Sequence, residues 1–210
     1  MATTALRVVL AGLPLAGALS LRAAPREALV SAPECFRVLS AGTALCQRYR
    51  ADRAPVPQAV TGHLQPTVEE ARAGWLCGRV PMATPFQPDW VWNEPHPEAR
   101  LSLFAMRGEY RAAVLGVHAL REVTGLMVES SALEGPAGDA MPSSCVDVRV
   151  VHGIRLQRGE RETWLSRFLV QPPALAVPPG TTCFLWVSVS VPAGQVPGLY
   201  QGDLRLRAAP

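Results

Sequence analysis

Polar and apolar residues alternate with a period of two over much of the chain from Trp75 onward. In the segment "LSLFA", Leu101, Leu103 and Ala105 fall on one face, and a pattern of this kind predicts a half-buried β-strand. The segment "RAAVLGVHAL" follows and is apolar on both faces, as expected for a strand in the middle of a sheet. The segment "VDVRVVHGIRL" returns to alternation, with Asp147 and Arg149 on its polar face.

The stretch "FLWVSVSVPAGQVPGLYQGDLRL" predicts a hairpin of two strands joined by a Pro/Gly turn. Ser188 and Ser190 are on the outward face of its first strand. Several short strands with turns and no helices between them are typical of sandwich folds. The sequence therefore predicts an all-β domain over residues 76–210, an antiparallel β-sandwich of about seven or more strands. Its predicted inward positions in the hairpin are Leu185, Val187, Val189, Val191, Tyr200, Leu204 and Leu206.

Residues 25–75 form a less regular lead-in segment, predicted to be partly helical and partly loop. Thr67 and Glu70 have the spacing of a capping box and predict one short helix. The stretch "ADRAPVPQAVTGHLQP" before them is interrupted by prolines and predicts a loop.

The first residues have the layout of a secretory signal peptide. A single Arg7 precedes an apolar run, and small residues follow at Ala16, Ala18, Ala23 and Ala24. We therefore predict a signal peptide over residues 1–24 and a secreted or periplasmic protein, with no membrane partner beyond that segment. The alternative is an alanine-rich opening of a cytosolic protein.

Composition narrows the classes of partner. All 20 basic residues are Arg, they are scattered, and the net charge is +3, so no nucleic-acid partner is predicted. The five cysteines show no C-x-x-C spacing, and no histidine lies at the sequence spacing from a cysteine that zinc ligands have. No metal or cofactor is therefore predicted. Buried free thiols are the simplest interpretation of the cysteines.

No catalytic residue is predicted. The chain has no G-x-S-x-G, P-loop, G-x-G-x-x-G or H-E-x-x-H motif. His118 and His152 fall inside strand patterns and are interpreted as structural histidines. The carboxylate candidates are interpreted as surface or turn residues, and for Glu109 as an acceptor of backbone N–H groups; they are Glu69, Glu70, Glu94, Glu98 and Glu109.

Two tryptophans in the segment "DWVWNEPH" are candidate contacts for a carbohydrate or a protein interface. Trp90 and Trp92 share one face at strand spacing, and exposed tryptophans can stack on sugar rings. The alternative is that both pack in the core or against a neighbouring domain.

The sequence from Arg100 to Arg207 resembles the N-terminal β-sandwich domain of glycoside hydrolase family 123 proteins. The first half of the resemblance is an apolar strand, an Arg-x-Glu-Tyr-like turn, a buried strand and a Ser-x-Leu-like strand end. The second half is a final hairpin with a Trp-x-x-x-x-Val-Pro strand and a Pro-Gly-x-Tyr-x-Gly strand. The matching residues are Arg107, Glu109, Tyr110, Ser131, Leu133, Trp186, Val191, Pro192, Pro197, Gly198, Tyr200 and Gly202.

In such enzymes the sandwich precedes a (β/α)8 barrel. The barrel carries an adjacent Asp-Glu pair that acts on N-acetylated galactosides with help from the substrate's acetamide. The present chain contains no Asp-Glu dipeptide, so the resemblance assigns it no catalytic residue.

Three hypotheses follow for function. The first is a non-catalytic N-terminal domain of a secreted, family-123-like glycoside hydrolase, a truncated or split product whose partner is the catalytic barrel. The second is a stand-alone secreted module that binds carbohydrate or protein. The third is a small enzyme with an unrecognised site.

Overall fold

The computed structural model of the chain describes residues 2–10, 62–158, 161–171 and 175–208. The chain divides into two compact units, Met1–Gly12 with Pro57–Pro210, and Leu13–Val56. The second unit, with Cys35 and Cys46, lies outside the described residues, as does most of the predicted lead-in segment.

Twelve strands, one short α-helix and two 3-10 helices, Pro136–Gly138 and Ser143–Cys145, make up the regular structure of the described residues. The helix, α1, spans Val68–Ala73. The strands are β1 (Ala2–Leu10), β2 (Trp75–Val80), β3 (Arg100–Ala105), β4 (Tyr110–Ala119), β5 (Val123–Ser130), β6 (Leu133–Glu134), β7 (Ala140–Met141), β8 (Val146–Arg158), β9 (Arg161–Val170), β10 (Leu175–Val177), β11 (Thr182–Ser190) and β12 (Gly198–Arg207).

The strands form two sheets. Sheet one has seven strands in the order β10-β5-β12-β1-β3, with β6 and β7 attached beside β12. Sheet two has five strands in the order β2-β4-β11-β8-β9. Neighbouring strands are antiparallel except for β1 and β3, which are parallel. This confirms the predicted all-β fold of mostly antiparallel strands.

The hydrophobic core is built from the inward residues of both sheets. Strand β11 supplies Leu185, Val187 and Val189, all at most 1% exposed, and β12 supplies Tyr200 and other side chains that water does not reach. These are the positions that the period-two pattern predicts to be buried, because side chains alternate between the two faces of a strand. The pattern also places Leu101 and Ala105 of β3 in this core, and both are there.

The predicted short helix is present and is capped as its sequence indicates. The Thr67 side chain accepts a hydrogen bond from the Glu70 backbone N–H at 3.2 Å, and the Glu70 carboxylate accepts one from the Thr67 N–H at 2.8 Å. Gly74 ends the helix in the left-handed conformation, with φ of 85°. The six-residue α1 falls short of the length and hydropathy that membrane crossing requires, and the described part of the chain contains no helix that meets them.

Strand β1 occupies residues that the sequence assigns to a signal peptide. Ala2–Leu10 pairs with β12 on one side, from Ala2 opposite Leu206 to Leu10 opposite Gly198. On the other side, Ala5–Leu10 runs parallel to Arg100–Ala105 of β3. Cleavage of a leader is not tested by this pairing, and the signal peptide remains a prediction.

We predict that Leu6→Pro destabilises the uncleaved protein by an amount on the order of 3 kcal/mol, because proline removes a backbone donor and its ring clashes in a strand paired on both sides. Leu6 lies between Gly202 of β12 and Leu101 of β3. Leu6→Ala is the matched control, since it keeps the N–H group. The measurement is urea unfolding of the three proteins. Equal midpoints for the proline and alanine variants would show that β1 contributes no backbone pairing.

Candidate functional site

The loop of residues 81–97, called here the aromatic loop, covers part of the outer face of sheet two. Its Trp92 is 2% exposed and belongs to a second apolar cluster with Val80, Val114 and Phe184. The Trp92 indole Nε1 donates a hydrogen bond to the Arg79 carbonyl at 2.7 Å. Its polar atom is therefore satisfied inside the protein, as a buried indole requires.

Two glycines make room for the Trp92 ring. Gly78 of β2 and Gly116 of β4 are directly opposite each other. A Cβ atom on Gly116 would lie 2.8 Å from the Trp92 ring, and a Cβ on Gly78 would lie 2.9 Å from it. Real Cβ atoms do not approach other atoms so closely, so the indole fits only over a pair of residues without side chains.

Trp90 and Phe86 extend the aromatic cluster from Trp92 toward β11. The Trp90 ring centroid lies 5.3 Å from that of Trp92 and 5.9 Å from that of Phe184. Phe86 lies 5.3 Å from Phe184 and 6.5 Å from Trp186. Trp90, Phe86 and Trp186 each keep part of their surface exposed. The outer face of sheet two is thus aromatic and partly open to solvent.

A buried histidine ties the aromatic loop to the sheet. The Thr182 hydroxyl donates to the Trp90 carbonyl at 2.5 Å, so its oxygen is left to accept a hydrogen bond from Nδ1–H of His118 at 3.0 Å. His118 is 1% exposed, and burial lowers its pKa from 6.5 to about 4. His118 is the structural histidine that the sequence predicts, whereas His152 lies exposed on β8.

A second polar cluster fixes the residues around β7 against the closing hairpin. The Asp139 carboxylate accepts hydrogen bonds from the Tyr200 hydroxyl at 2.5 Å and from Gln195 Nε2 at 2.6 Å. The hydrogen bond from Tyr200 is the main reason that the pKa of Asp139 is lowered. Tyr200 and Gln195 are both buried and uncharged. Their two hydrogen bonds favour the ionised form of the Asp139 carboxylate.

Two of the candidate carboxylates, Glu70 and Glu109, have structural roles. Glu109 accepts a hydrogen bond from the Met106 N–H at 2.8 Å, as the sequence predicts, and pairs with Arg111 at 2.8 Å. Glu69 and Glu70 lie in the first turn of α1. Among the described residues, no three His, Cys, Asp or Glu side chains come together as they would around a metal ion.

The cysteine thiols that the structure describes are placed in or beside the core. Cys145 and Cys183 are free, and Cys183 packs against the main cluster. Burial raises the pKa of Cys183 to about 12. At that value the thiol stays protonated at neutral pH and is a poor nucleophile.

The two tryptophans singled out in the sequence have different surroundings. The Trp92 side chain is buried between the aromatic loop and sheet two, as the core-packing alternative predicts. Its ring packs against the protein, and its indole N–H donates to the Arg79 carbonyl. Trp90 is partly exposed, and its role as a carbohydrate or interface contact stays a prediction. Trp186 was not among the predicted contacts. Its place on the outward face of β11, with Ser188 and Ser190, is the signal that could have identified it.

Comparisons with known proteins show a distant likeness to a solved structure. No protein-family model matches this chain, and no curated protein matches it. The chain is similar to a solved structure of a family 123 glycoside hydrolase from Clostridium perfringens, a protein described in terms of glycolipid glycan hydrolysis. Identity is 14% and the TM-score is 0.47, over 50% of this chain and 19% of that one. The chain spans about a fifth of that enzyme, and a likeness this remote does not assign a family.

We predict that Gly116→Ala destabilises the protein by about 1–3 kcal/mol, because the new methyl group overlaps the Trp92 ring and must displace it. Gly194→Ala is the matched control, since a Cβ there meets no atom within 4 Å. Urea unfolding gives the stability, and tryptophan emission reports the ring's surroundings. A Gly116 variant as stable as the control, with unchanged emission, would contradict the packing described.

We predict that stability falls as the pH drops from about 6.5 to about 4, because the unfolded chain protonates His118 in that range while the folded protein keeps it neutral. Above pH 6.5, His118 is neutral in both the folded and the unfolded protein and does not lower the free energy of unfolding. Below pH 6.5 that free energy falls, and the loss is complete near pH 4. His118→Asn should flatten this part of the profile, since its amide still donates to Thr182. Thermal unfolding across this range is the measurement, with the exposed His152→Asn as control. An unchanged slope in His118→Asn would refute the assignment.

Proposed function

We propose that this chain is a non-catalytic β-sandwich domain of a secreted glycoside hydrolase resembling family 123. Its role in this proposal is to pack against a (β/α)8 barrel that carries the catalytic residues. The resemblance of Arg100–Arg207 to the N-terminal domain of such enzymes supports it. The structural contacts of Glu70, Glu109 and Asp139 are compatible with chemistry carried out elsewhere.

The observation that carries the proposal is a group of exposed apolar side chains at one end of sheet one, called here the end patch. It consists of Phe104, Met106, Val196 and Leu199, which are 43–58% exposed. Val9 of β1 pairs with Leu199 on one side and with Phe104 on the other. Phe104 and Leu199 therefore lie on either side of the same strand. Exposed apolar groups gathered in one area are typical of surfaces that meet another protein domain.

The end patch joins two turns that hold each other in place. Met106 opens the turn between β3 and β4, and Val196 lies in the turn between β11 and β12. The Gly108 N–H donates to the Val191 carbonyl at 3.0 Å, and the Val191 N–H donates to the Glu109 carbonyl at 2.9 Å. Because these bonds fix the two turns together, the patch is presented on a rigid base, as a docking surface for a folded domain requires.

We predict that the double variant Phe104→Gln, Leu199→Gln binds less hydrophobic dye and self-associates less than the wild type, because it removes apolar surface from the end patch. The matched control is Phe168→Gln, an exposed phenylalanine on β9. Dye fluorescence and sedimentation velocity are the measurements. A wild-type protein that is monomeric and binds no dye would oppose the barrel-packing role and favour a self-sufficient module.

The source DNA tests the proposal directly. The expected result is a reading frame that continues, or resumes after a shift, beyond the codon for Pro210 into a barrel with an adjacent Asp-Glu pair. Neighbouring DNA without any barrel-coding sequence would remove the barrel as partner. The stand-alone binding module would then be the better hypothesis, with the partly exposed Trp90 as its first candidate contact.

Export is part of the proposal and has its own test. Cleavage of a signal peptide near residue 24 would remove β1, which is hydrogen-bonded on both sides. Intact-mass measurement of the protein recovered from the periplasm of a bacterial host gives the mature N-terminus. Recovery of a chain lacking the first 24 residues supports export by this route. A full-length chain found only in the cytoplasm contradicts it.

A further inference from the structure

The outer face of sheet two has an area that the aromatic loop leaves uncovered, called here the open strip. It is formed by the outward residues of three adjacent strands, β4, β11 and β8. Cross-strand neighbours form three rows on this surface. The first row is Tyr110 beside Ser190, the second is Ala112 beside Ser188 and Asp147, and the third is Trp186 beside Arg149. Ala112 and Ser188 are small and lie between the two aromatic residues. The strip is therefore a shallow surface with an aromatic ring toward each end.

The two aromatic residues are separated by more than one ring width. Trp186 lies four residues before Ser190 on β11, and Tyr110 lies beside Ser190. At the usual rise of an antiparallel strand, this places their backbones ~14 Å apart along the strip. Tyr110 is 75% exposed and Trp186 is partly exposed. Exposure of a tyrosine to this extent on a regular strand leaves its ring free to contact a ligand.

Charged groups line one side of the strip. Arg149 Nε donates to the Asp147 carboxylate at 2.7 Å, and both side chains are about half exposed, at 44% and 45%. Arg149 is the direct cross-strand neighbour of Trp186, and Asp147 is that of Ser188. The pair offers both donors and acceptors and carries no net charge.

We propose that the open strip binds a neutral oligosaccharide. A sugar ring presents an apolar C–H face that stacks on an aromatic ring, and hydroxyl groups at its edge that both donate and accept hydrogen bonds. Trp186 and Tyr110 supply the stacking surfaces, and Arg149 and Asp147 supply the hydrogen-bonding groups. Two stacking positions ~14 Å apart require a chain of sugars rather than a single one.

The chemistry of the strip favours this occupant over a peptide or a nucleic acid. Within the strip, β11 is paired with β4 on one side and with β8 on the other, so an extended peptide cannot add to the middle of the strip as a further strand. The charges of Arg149 and Asp147 cancel, so a polyanion gains little from binding there. The open strip and the end patch belong to different sheets, so this inference does not rest on the barrel-packing role.

The test is isothermal titration calorimetry of the full chain with cellotetraose, chitotetraose and xylotetraose. We expect saturable binding of at least one of the three. Tyr110→Ala and Trp186→Ala should each weaken it about tenfold or more, since each removes one stacking surface. Phe104→Ala, an exposed phenylalanine of the end patch on the other sheet, is the control and should bind like the wild type.

Further variants keep the test decisive if Trp186→Ala fails to fold. Tyr110 and Arg149 are exposed enough to replace without disturbing the core, and Arg149→Met should also weaken binding. Binding by none of the three tetrasaccharides would overturn the proposal, as would binding that Tyr110→Ala and Arg149→Met both leave unchanged. Tighter binding of a heparin tetrasaccharide than of the neutral sugars would show that the strip prefers an anionic oligosaccharide, and would overturn the proposal of a neutral ligand.

Discussion

The contact between the Trp92 ring and the glycine pair Gly78–Gly116 decides how the outer face of sheet two is divided. Because the ring lies directly on the backbone of β2 and β4, the aromatic loop is fixed over that side of the sheet. Trp90 and Phe86 then cover Phe184, and the Trp90 carbonyl reaches Thr182. The rows of the sheet that contain Ser188 and Ser190 stay open. Both the acid sensitivity at His118 and the position of the open strip thus depend on two residues without side chains.

Sequence periodicity predicts the strands well where one face is buried. β3, β11 and β12 alternate between core and solvent, so their inward residues can be identified from the sequence alone. The helix α1 could be predicted as well, because its capping box is a local interaction between Thr67 and Glu70.

Strand β1 is a segment that the same method does not distinguish from a signal peptide. Its sequence is short, apolar and close to the N-terminus, features shared by signal peptides and by strands in the interior of a sheet. Periodicity cannot separate the two, because the pairing that defines β1 is made with β12 and β3, far away in the sequence. Trp92 presents a related difficulty. Its spacing from Trp90 suggests a shared exposed face, but the space that receives it depends on glycines of two other strands.

The candidate site could be predicted only in part. The outward positions of β11 are readable from the "WVSVSV" alternation, and those of β8 from "VDVRVV". That Trp186 lies beside Arg149, and Ser188 beside Asp147, depends on the register between these strands, which a single sequence does not specify. The end patch likewise gathers residues from β3, β12 and two turns, and only the folded sheet brings them to one end.

The position of β1 also has a consequence for the time at which the protein can fold. β1 pairs with β12, which lies far away in the sequence, so this side of sheet one cannot close until synthesis has passed Arg207. Contacts between residues so far apart in sequence form slowly, because a long loop must close before they stabilise anything. Until then the edge of β1 that faces β12 is unpaired, and unpaired edges are sites of aggregation. The nascent chain therefore depends on being kept from other exposed strands throughout its synthesis.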